Sequence, residues 1–315
     1  MKAYDVMTKF IYLAVISIIL ILFAIVIGLY IKNAPQPLGK IHVLEETDGL
    51  YSRLKVIEYH GYRALISDGI IQTVIPFSSL GIIRGTLISG RDYIELIPFF
   101  RPNTRTGLLI GTGAGLHIRA LSLYGIEIQG VDIEPEVIRL AEKYFDLAAE
   151  INIADGREFL IQDKRHYDTI IIDAFIGETV PEHLYTKESF NLVEEHLNPG
   201  GIFVVRLIGH PEHPAIQAVA RTIQDVFPYM AAVKSGIENE LQHIFIFASR
   251  TILKLKAGKS YELSKYGFTG EEFCDINTCN AVLLTDDKSN LSLLTKDIAA
   301  EYRRNSLRIM KELLW

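Results

Sequence analysis

The sequence predicts a doubly wound α/β domain, preceded by a small antiparallel β domain and a membrane-spanning helix. Three observations predict it. From Arg105 onward, short apolar runs alternate with stretches of helical spacing. Between Gly39 and about Leu80, alternating strands are joined by turn signals. Ahead of both, Phe10 to Ile31 carries no charge at all.

That first segment, FIYLAVISIILILFAIVIGLYI, also lacks proline and has a single glycine. About twenty apolar residues rising roughly 1.5 Å each span a hydrocarbon core. NAPQPLG follows, and Pro35 and Pro37 read as a stiff linker rather than a cleavage site. The expectation is an uncleaved single-pass anchor over residues 10–31, within an N-terminal division of residues 1–34. Lys2 and Lys9 before it nearly balance Lys32 and Lys40 after it, so flanking charge does not set the orientation.

Residues 35–102 read as the small β domain. RLKVIEY alternates, HGY turns, YRALIS is a second strand, and Asp68-Gly69 marks a hairpin before IIQTVIP. RDYIELIPFF, with Asp92 near its start, reads as a short helix stopping before Pro102.

Residues 103–315 carry the alternating pattern. The strands are GLLI, IEIQGVD, INIA, YDTIIIDA, GIFVVRLI, YMAAVKS and QHIFIFAS. Helices fit at Leu116–Tyr124, Glu134–Phe145, Lys187–Leu197 and Ala215–Phe227. Near-continuous apolar strands suit a parallel sheet covered on both faces. Only GIENEL separates the last two strands, too little for a crossover helix, so they form a hairpin and place one antiparallel strand in the sheet. That feature distinguishes a Rossmann-like sheet of the class I methyltransferase type from a standard dinucleotide-binding one. In the tail VLLTDDKSNLSLL, Ser289 or Asn290 caps a final helix whose Leu291, Leu294, Ile298, Tyr302 and Leu307 form an apolar face, a structural assignment.

The net charge is −6, with no lysine- or arginine-rich block, which argues against binding along nucleic acid. Cys274 and Cys279, the only cysteines, cannot build a four-ligand zinc site alone and read as ordinary loop residues, with no metal expected.

LLIGTGAGLHIRAL holds Gly111, Gly113 and Gly115 in a G-x-G-x-G pattern between strand and helix. The dinucleotide fingerprint wants its third glycine one place later, where Leu116 stands. Asp132 ends the next strand, where a carboxylate accepts from ribose hydroxyls, or caps the following helix. Asp155 ends the third, where a carboxylate holds an adenine amino group or caps the helix from Gly156. Asp173 ends the fourth, beside the loop, where it serves catalysis or caps a turn. Together these strand ends describe a pocket for adenosine carrying a sulfonium chain rather than a pyrophosphate.

Here the chain resembles the spermidine synthase family, the polyamine aminopropyltransferases that use decarboxylated S-adenosylmethionine. The likeness runs through DGIIQT, RDYIEL, GTGAG, VDIEPEVI, IADG, IIIDAF and LYTKESF. The L-T-D-D tail is similar to membrane-associated members. The resemblance implies that Asp132 holds ribose, Asp155 adenine, and Asp173 accepts a proton from the attacking amine, while Gln72 and Tyr93 line the substrate cleft. It also implies a homodimer, with the small sheet as the contact, and an amine as the second substrate.

Two positions depart from the family pattern. Where its glycine loop has an aspartate for the aminopropyl amine, this chain has Ala114; where D-S-S-D has its second aspartate, it has Ile176. Each change removes a charge-assisted hydrogen bond of about 1.5–3 kcal/mol. Glu178 and Glu182 are the nearby acids. Ala114 also removes a charge that would repel the carboxylate of intact S-adenosylmethionine, so the intact donor or methylthioadenosine is expected to bind at least as well as the decarboxylated one. His117 and His183 sit near the expected cleft, where a histidine either assists proton transfer or is a packed or surface residue.

Three functions follow: aminopropyl transfer with Asp173 as base, methyl transfer from S-adenosylmethionine in the same pocket, or membrane-anchored nucleoside binding without catalysis. Because the donor is made in the cytosol, the catalytic domain is expected there.

Overall fold

The structure is a computed structural model that describes residues 41–76, 93–175, 179–235, 240–255, 268 and 270–314. The apolar segment 10–31 and Asp92 lie outside the described residues. Among the described residues, no helix is long and apolar enough to cross a membrane.

Four strands form the small sheet in sequential order: β1 (His42–Asp48), β2 (Arg53–Tyr59), β3 (Tyr62–Ser67) and β4 (Ile70–Pro76). All their pairings are antiparallel. The Asp68-Gly69 hairpin takes positive φ at both residues, 49° and 80°, which suits the right-handed twist of the strands. Leu54, Val56 and Leu65 face Leu140 and Phe145 of the larger domain. Glu45 fixes that contact, receiving Arg139 at 2.6 Å, Lys143 at 2.7 Å and the Tyr144 hydroxyl at 2.8 Å.

RDYIELIPFF winds as a 3-10 turn, Tyr93–Leu96, into a single α-turn, α1 (Ile97–Phe100). The chain then alternates as expected: β5 (Thr106–Ile110), α2 (Leu116–Ser122), β6 (Glu127–Asp132), α3 (Pro135–Tyr144), β7 (Ile151–Ile153), α4 (Gly156–Gln162) and β8 (Tyr167–Ile172). After it come α5 (Lys187–Glu195), β9 (Leu197–Gly209), α6 (Pro214–Val226), β10 (Tyr229–Ser235) and β11 (Gln242–Ser249). With the short edge strand β12 (Phe273–Cys274), the eight-stranded sheet has the order β12-β10-β11-β9-β8-β5-β6-β7.

Strands β5 through β9 pair in parallel, and β11 runs antiparallel to both β9 and β10. This is the Rossmann-like, methyltransferase-type mixed sheet. One antiparallel strand was expected; a second occurs at the edge, where β12 (Phe273–Cys274) pairs antiparallel with β10. A two-residue strand has too short a pattern to be legible. Cys274 therefore sits on a strand rather than in a loop. Both thiols are free, and burial pushes that of Cys274 up to about 11.

The apolar strands serve two cores. Leu108, Ile110, Ile170, Ile172, Phe203 and Val205 face α5 and α6, while Leu109, Ile171, Ile202 and Val204 face α1 and α2. A strand buried on both faces cannot alternate, hence the continuous runs. The chain leaves β5 toward β6 and β7, then returns to the other side of β5 at β8. The carboxyl ends of β5 and β8 thus flank a topological switch point, where such sheets bind ligands.

The tail departs from the single capped helix. It forms α7 (Leu291–Leu294) and α8 (Lys296–Leu314), and Asn290 precedes α7 without a side-chain cap bond. Leu291 and Ile298 are buried, but Leu307 is 45% exposed. Tyr302 turns toward the small sheet, its hydroxyl donating to the Ile71 carbonyl at 3.5 Å.

Candidate active site

The glycine loop begins where β5 ends. Gly111, Gly113 and Gly115 all have positive φ, but they do different work. A Cβ on Gly111 would lie 2.3 Å from the Asp173 carbonyl oxygen, so the bare backbone is what lets β8 approach the loop. A Cβ on Gly113 would meet nothing within 4 Å, because that residue borders a cavity. Gly115 opens α2 and faces Leu147 rather than the cavity.

Asp132 braces this loop. Its Oδ2 accepts from the Thr112 and Gly113 amides at 2.9 and 3.0 Å, and its Oδ1 from the Glu134 amide at 3.0 Å. Burial pushes its carboxyl upward. It is not the helix cap: Glu134 caps α3, accepting from the Glu136 amide. Oδ1 retains acceptor capacity for a hydroxyl.

Asp155 does cap a helix. Its Oδ1 accepts from the Arg157 and Glu158 amides at the start of α4. Its Oδ2 meets His183 Nε2 at 2.7 Å; that bond holds Asp155 low and raises His183. His183 is therefore an ion-pair partner at this strand end rather than an isolated surface residue.

Next to it, Arg157 reaches Asp286 of the L-T-D-D tail through two bonds of 2.7 and 2.6 Å, and Asp286 also accepts from Thr186, the cap of α5. The tail is thus fastened to the strand ends. Replacing Asp286 with alanine should lower stability by about 1–2 kcal/mol, after discounting for partial exposure. Urea unfolding of the two proteins at neutral pH measures it.

Asp173 follows β8 and is 12% exposed. Its Oδ2 meets His117 Nε2 at 2.7 Å, and its Oδ1 accepts from Arg206 Nη1 at 2.7 Å. Burial pushes this carboxyl up, but the adjacent Arg206 and His117 outweigh it and hold it below the usual range. Arg206 continues to His243, whose Nδ1 lies 2.7 Å from Nη2. A guanidinium only donates, so Nδ1 accepts and the His243 proton sits on Nε2. Arg206 also lies over the Phe175 ring, 5.7 Å from its centroid.

These groups surround one cavity of about 540 Å³, a size suited to a nucleoside with its side chain. Gly111, Gly113, Asp132, Asp155 and Asp173 line it, as does Gln72 from β4. Tyr93 does not. It is 4% exposed and packs edge-on against Phe245 and Phe268, because its position in the 3-10 turn faces the second core. Glu182 turns away to accept from the Ser292 amide. Ile176 and Glu178 lie outside the described residues.

Sequence reasoning missed Arg206, His243 and the α8 wall of Tyr302, Asn305 and Ser306. Arg206 did leave a signal, being the one charge in GIFVVRLI. A charge in a buried strand needs a partner, and an acid at a neighbouring strand end supplies it.

Comparison with known proteins identifies the family. The spermine/spermidine synthase domain matches residues 92–253, just over half of the chain. A probable polyamine aminopropyl transferase of Bifidobacterium longum is 31% identical over 191 residues, covering 58% of this chain and 43% of that protein. Polyamine aminopropyltransferase 2 of Pseudomonas aeruginosa is 26% identical over 237 residues, covering 66% of this chain and 68% of its own. The chain thus spans less than half the length of the Bifidobacterium relative. The crystal structure of a probable spermidine synthase from Corynebacterium glutamicum superposes with a TM-score of 0.64 at 17% identity, over 78% of this chain and 97% of that one, a likeness of fold. With a domain match that runs from the 3-10 turn past β11 and takes in the glycine loop and all three strand-end aspartates, this chain belongs to the spermine/spermidine synthase family.

Proposed function

We propose that this protein transfers an aminopropyl group from decarboxylated S-adenosylmethionine to an amine. One observation carries the reading: the glycine loop, Asp132, Asp155 and Asp173 stand at the carboxyl ends of parallel strands around a single cavity. Adenosine lies along the β5–β7 side, with Asp132 Oδ1 toward the ribose and Asp155 toward the adenine amino group. Gly113, bare toward the cavity, leaves room for the nucleoside to approach the backbone.

The sulfonium then points to Asp173. The acceptor nitrogen attacks the methylene beside the sulfur, the new carbon–nitrogen bond forms as the carbon–sulfur bond breaks, and the sulfur leaves with the electron pair as methylthioadenosine. An ammonium has no lone pair, so the amine must shed a proton; the pair of Asp173 and His117 receives it within hydrogen-bond reach. Asp173 is ionised throughout the neutral range and also offsets positive charge on the amine.

The segment 10–31 anchors the protein in this reading, with the divisions 35–102 and 103–315 on the cytosolic side where the donor is made. Two copies pair through the small sheet, whose edge strand β1 leaves Val43 and Leu44 exposed.

The test is product analysis. The purified protein, given decarboxylated S-adenosylmethionine and a panel of amines, should yield methylthioadenosine and an amine heavier by one aminopropyl unit, detected by mass spectrometry. Methylthioadenosine formation at the enzyme-free rate with every amine would overturn the proposal.

A further inference from the structure

Helix α8 closes one side of the cavity, and its inward stripe changes character where it does so. Near its start Ile298 packs over the end of β9, where a Cβ on Gly209 would lie 3.0 Å from Ile298 Cδ1. Further along, Leu307 reaches the β3–β4 hairpin, its Cδ2 3.9 Å from a Cβ placed on Gly69. Between these points Tyr302, Asn305 and Ser306 line the cavity. They stand at i, i+3 and i+4, and so on one face of the helix. Ile298 and Ala299 begin that face as buried apolar residues, as an amphipathic helix against a core requires. At the cavity the same face turns polar, and Ser306 there is 5% exposed. Core packing does not call for an amide and a hydroxyl at these positions, since a buried polar group costs free energy unless something polar meets it.

The place of this face assigns it to the acceptor. The nucleoside takes the β5–β7 side in the function proposed above, and β9 lies on the other side of β8. Tyr302 stands close to Asp173: burial pushes its phenol up, while Arg206 and Asp173 act on it in opposite senses. Its hydroxyl donates to the carbonyl of Ile71, next to Gln72 on the cavity wall. An amine held at Asp173 therefore has α8 as the wall along which the rest of its chain runs. There the Asn305 amide and the Ser306 hydroxyl each both donate and accept.

We propose that Asn305 and Ser306 form the wall that reads the acceptor's chain, and that they select a primary amine carrying a second hydrogen-bonding group over a plain alkylamine. Asn305 is the specificity-determining residue. Helix α8 lies beyond residues 92–253, so the family's domain match does not supply this assignment. The inference deepens the function proposed above and rests on its nucleoside pocket.

Three acceptors test it. The amines n-butylamine, 4-amino-1-butanol and 1,4-diaminobutane share one chain and differ at its far end, which bears hydrogen, a hydroxyl or an ammonium. Each is titrated calorimetrically into the full chain saturated with methylthioadenosine, so the readout does not depend on turnover. At least one polar-ended amine should bind about 10-fold tighter than n-butylamine, as expected for one hydrogen bond. The amine that shows the preference tells whether a hydroxyl or an ammonium is read. Asn305→Leu keeps the branched shape without the polar atoms; it should remove most of the preference and leave methylthioadenosine affinity unchanged.

Asn305→Asp adds a carboxylate to the wall and should move the ranking toward 1,4-diaminobutane over 4-amino-1-butanol by about 10-fold. A helix that only packs would show neither change, and the aspartate variant carries the test if the leucine variant fails to fold. Equal binding of all three amines would overturn the inference, as would a preference that survives Asn305→Leu, an unmoved ranking in Asn305→Asp, or failure of every amine to bind. Loss of methylthioadenosine binding in the parent protein would instead overturn the nucleoside pocket. Amine binding without transfer would overturn the reaction and leave the wall standing, so the failures are distinguishable.

Discussion

Replacing Asp173 with asparagine should lower the rate of aminopropyl transfer by about 10²–10⁴-fold, the range for removing a positioned proton acceptor, while methylthioadenosine still binds. The split follows from the geometry. Asp173 closes the far end of the cavity beside Arg206 and His117, whereas the nucleoside end rests on Asp132, Asp155 and the glycine loop. Stopped-assay turnover and calorimetric nucleoside affinity, measured on the same preparation, decide it. Retained turnover would move the proton acceptor away from Asp173.

The same variant makes a stability prediction with a defined sign. Asp173 is held below its ordinary range in the folded protein. Its ion pairs therefore stabilise the fold fully above the unfolded carboxyl value, about 3.9, and that contribution is lost as pH falls through the lower folded value. Asparagine keeps one acceptor oxygen but not the charge, so the cost at neutral pH should be about 1.5–3 kcal/mol. The part of the gap between parent and variant that the Arg206 pair supplies should narrow as pH falls below about 4 and the carboxyl takes up a proton. Urea unfolding across that range tests the sign.

What the sequence disclosed and what it hid divide along the range of the forces involved. Apolar periodicity is local, so α2, α3, α5 and α6 appear within a residue or two of their expected bounds, with α6 beginning at Pro214, where proline needs no amide partner. Strand-end aspartates were legible because a parallel sheet places ligands at carboxyl ends whatever its exact order. Arg206 was hidden for the opposite reason. Its partners come from β8 and β11, and nothing local in GIFVVRLI says which acid a buried guanidinium meets. The α8 wall was likewise hidden, since an apolar stripe cannot show that Tyr302 turns away from the main core toward β4. Tyr93 failed in the other direction: a position assigned by likeness to a family cleft is, in this chain, filled by core packing against Phe245 and Phe268.

The second large effect is expected at Gly111. Alanine there must hold φ near +87° and place its Cβ 2.3 Å from the Asp173 carbonyl oxygen, a backbone atom that no rotamer change can move. The conformational penalty alone is about 1–2 kcal/mol, and relieving the overlap by shifting β8 against the loop adds about 1–3 kcal/mol more. The shift would also carry Asp173 away from Arg206 and His117, so Gly111→Ala should lose both stability and turnover. Gly113→Ala is the matched control. Its φ of 52° lies in the small left-handed region open to L-residues, and its Cβ would meet nothing within 4 Å, which limits the stability cost to about 1–2 kcal/mol. If the loop exists to let β5 and β8 approach, thermal unfolding will separate the two variants sharply. Equal destabilisation would mean that positive φ, rather than close approach, is what the first glycine supplies.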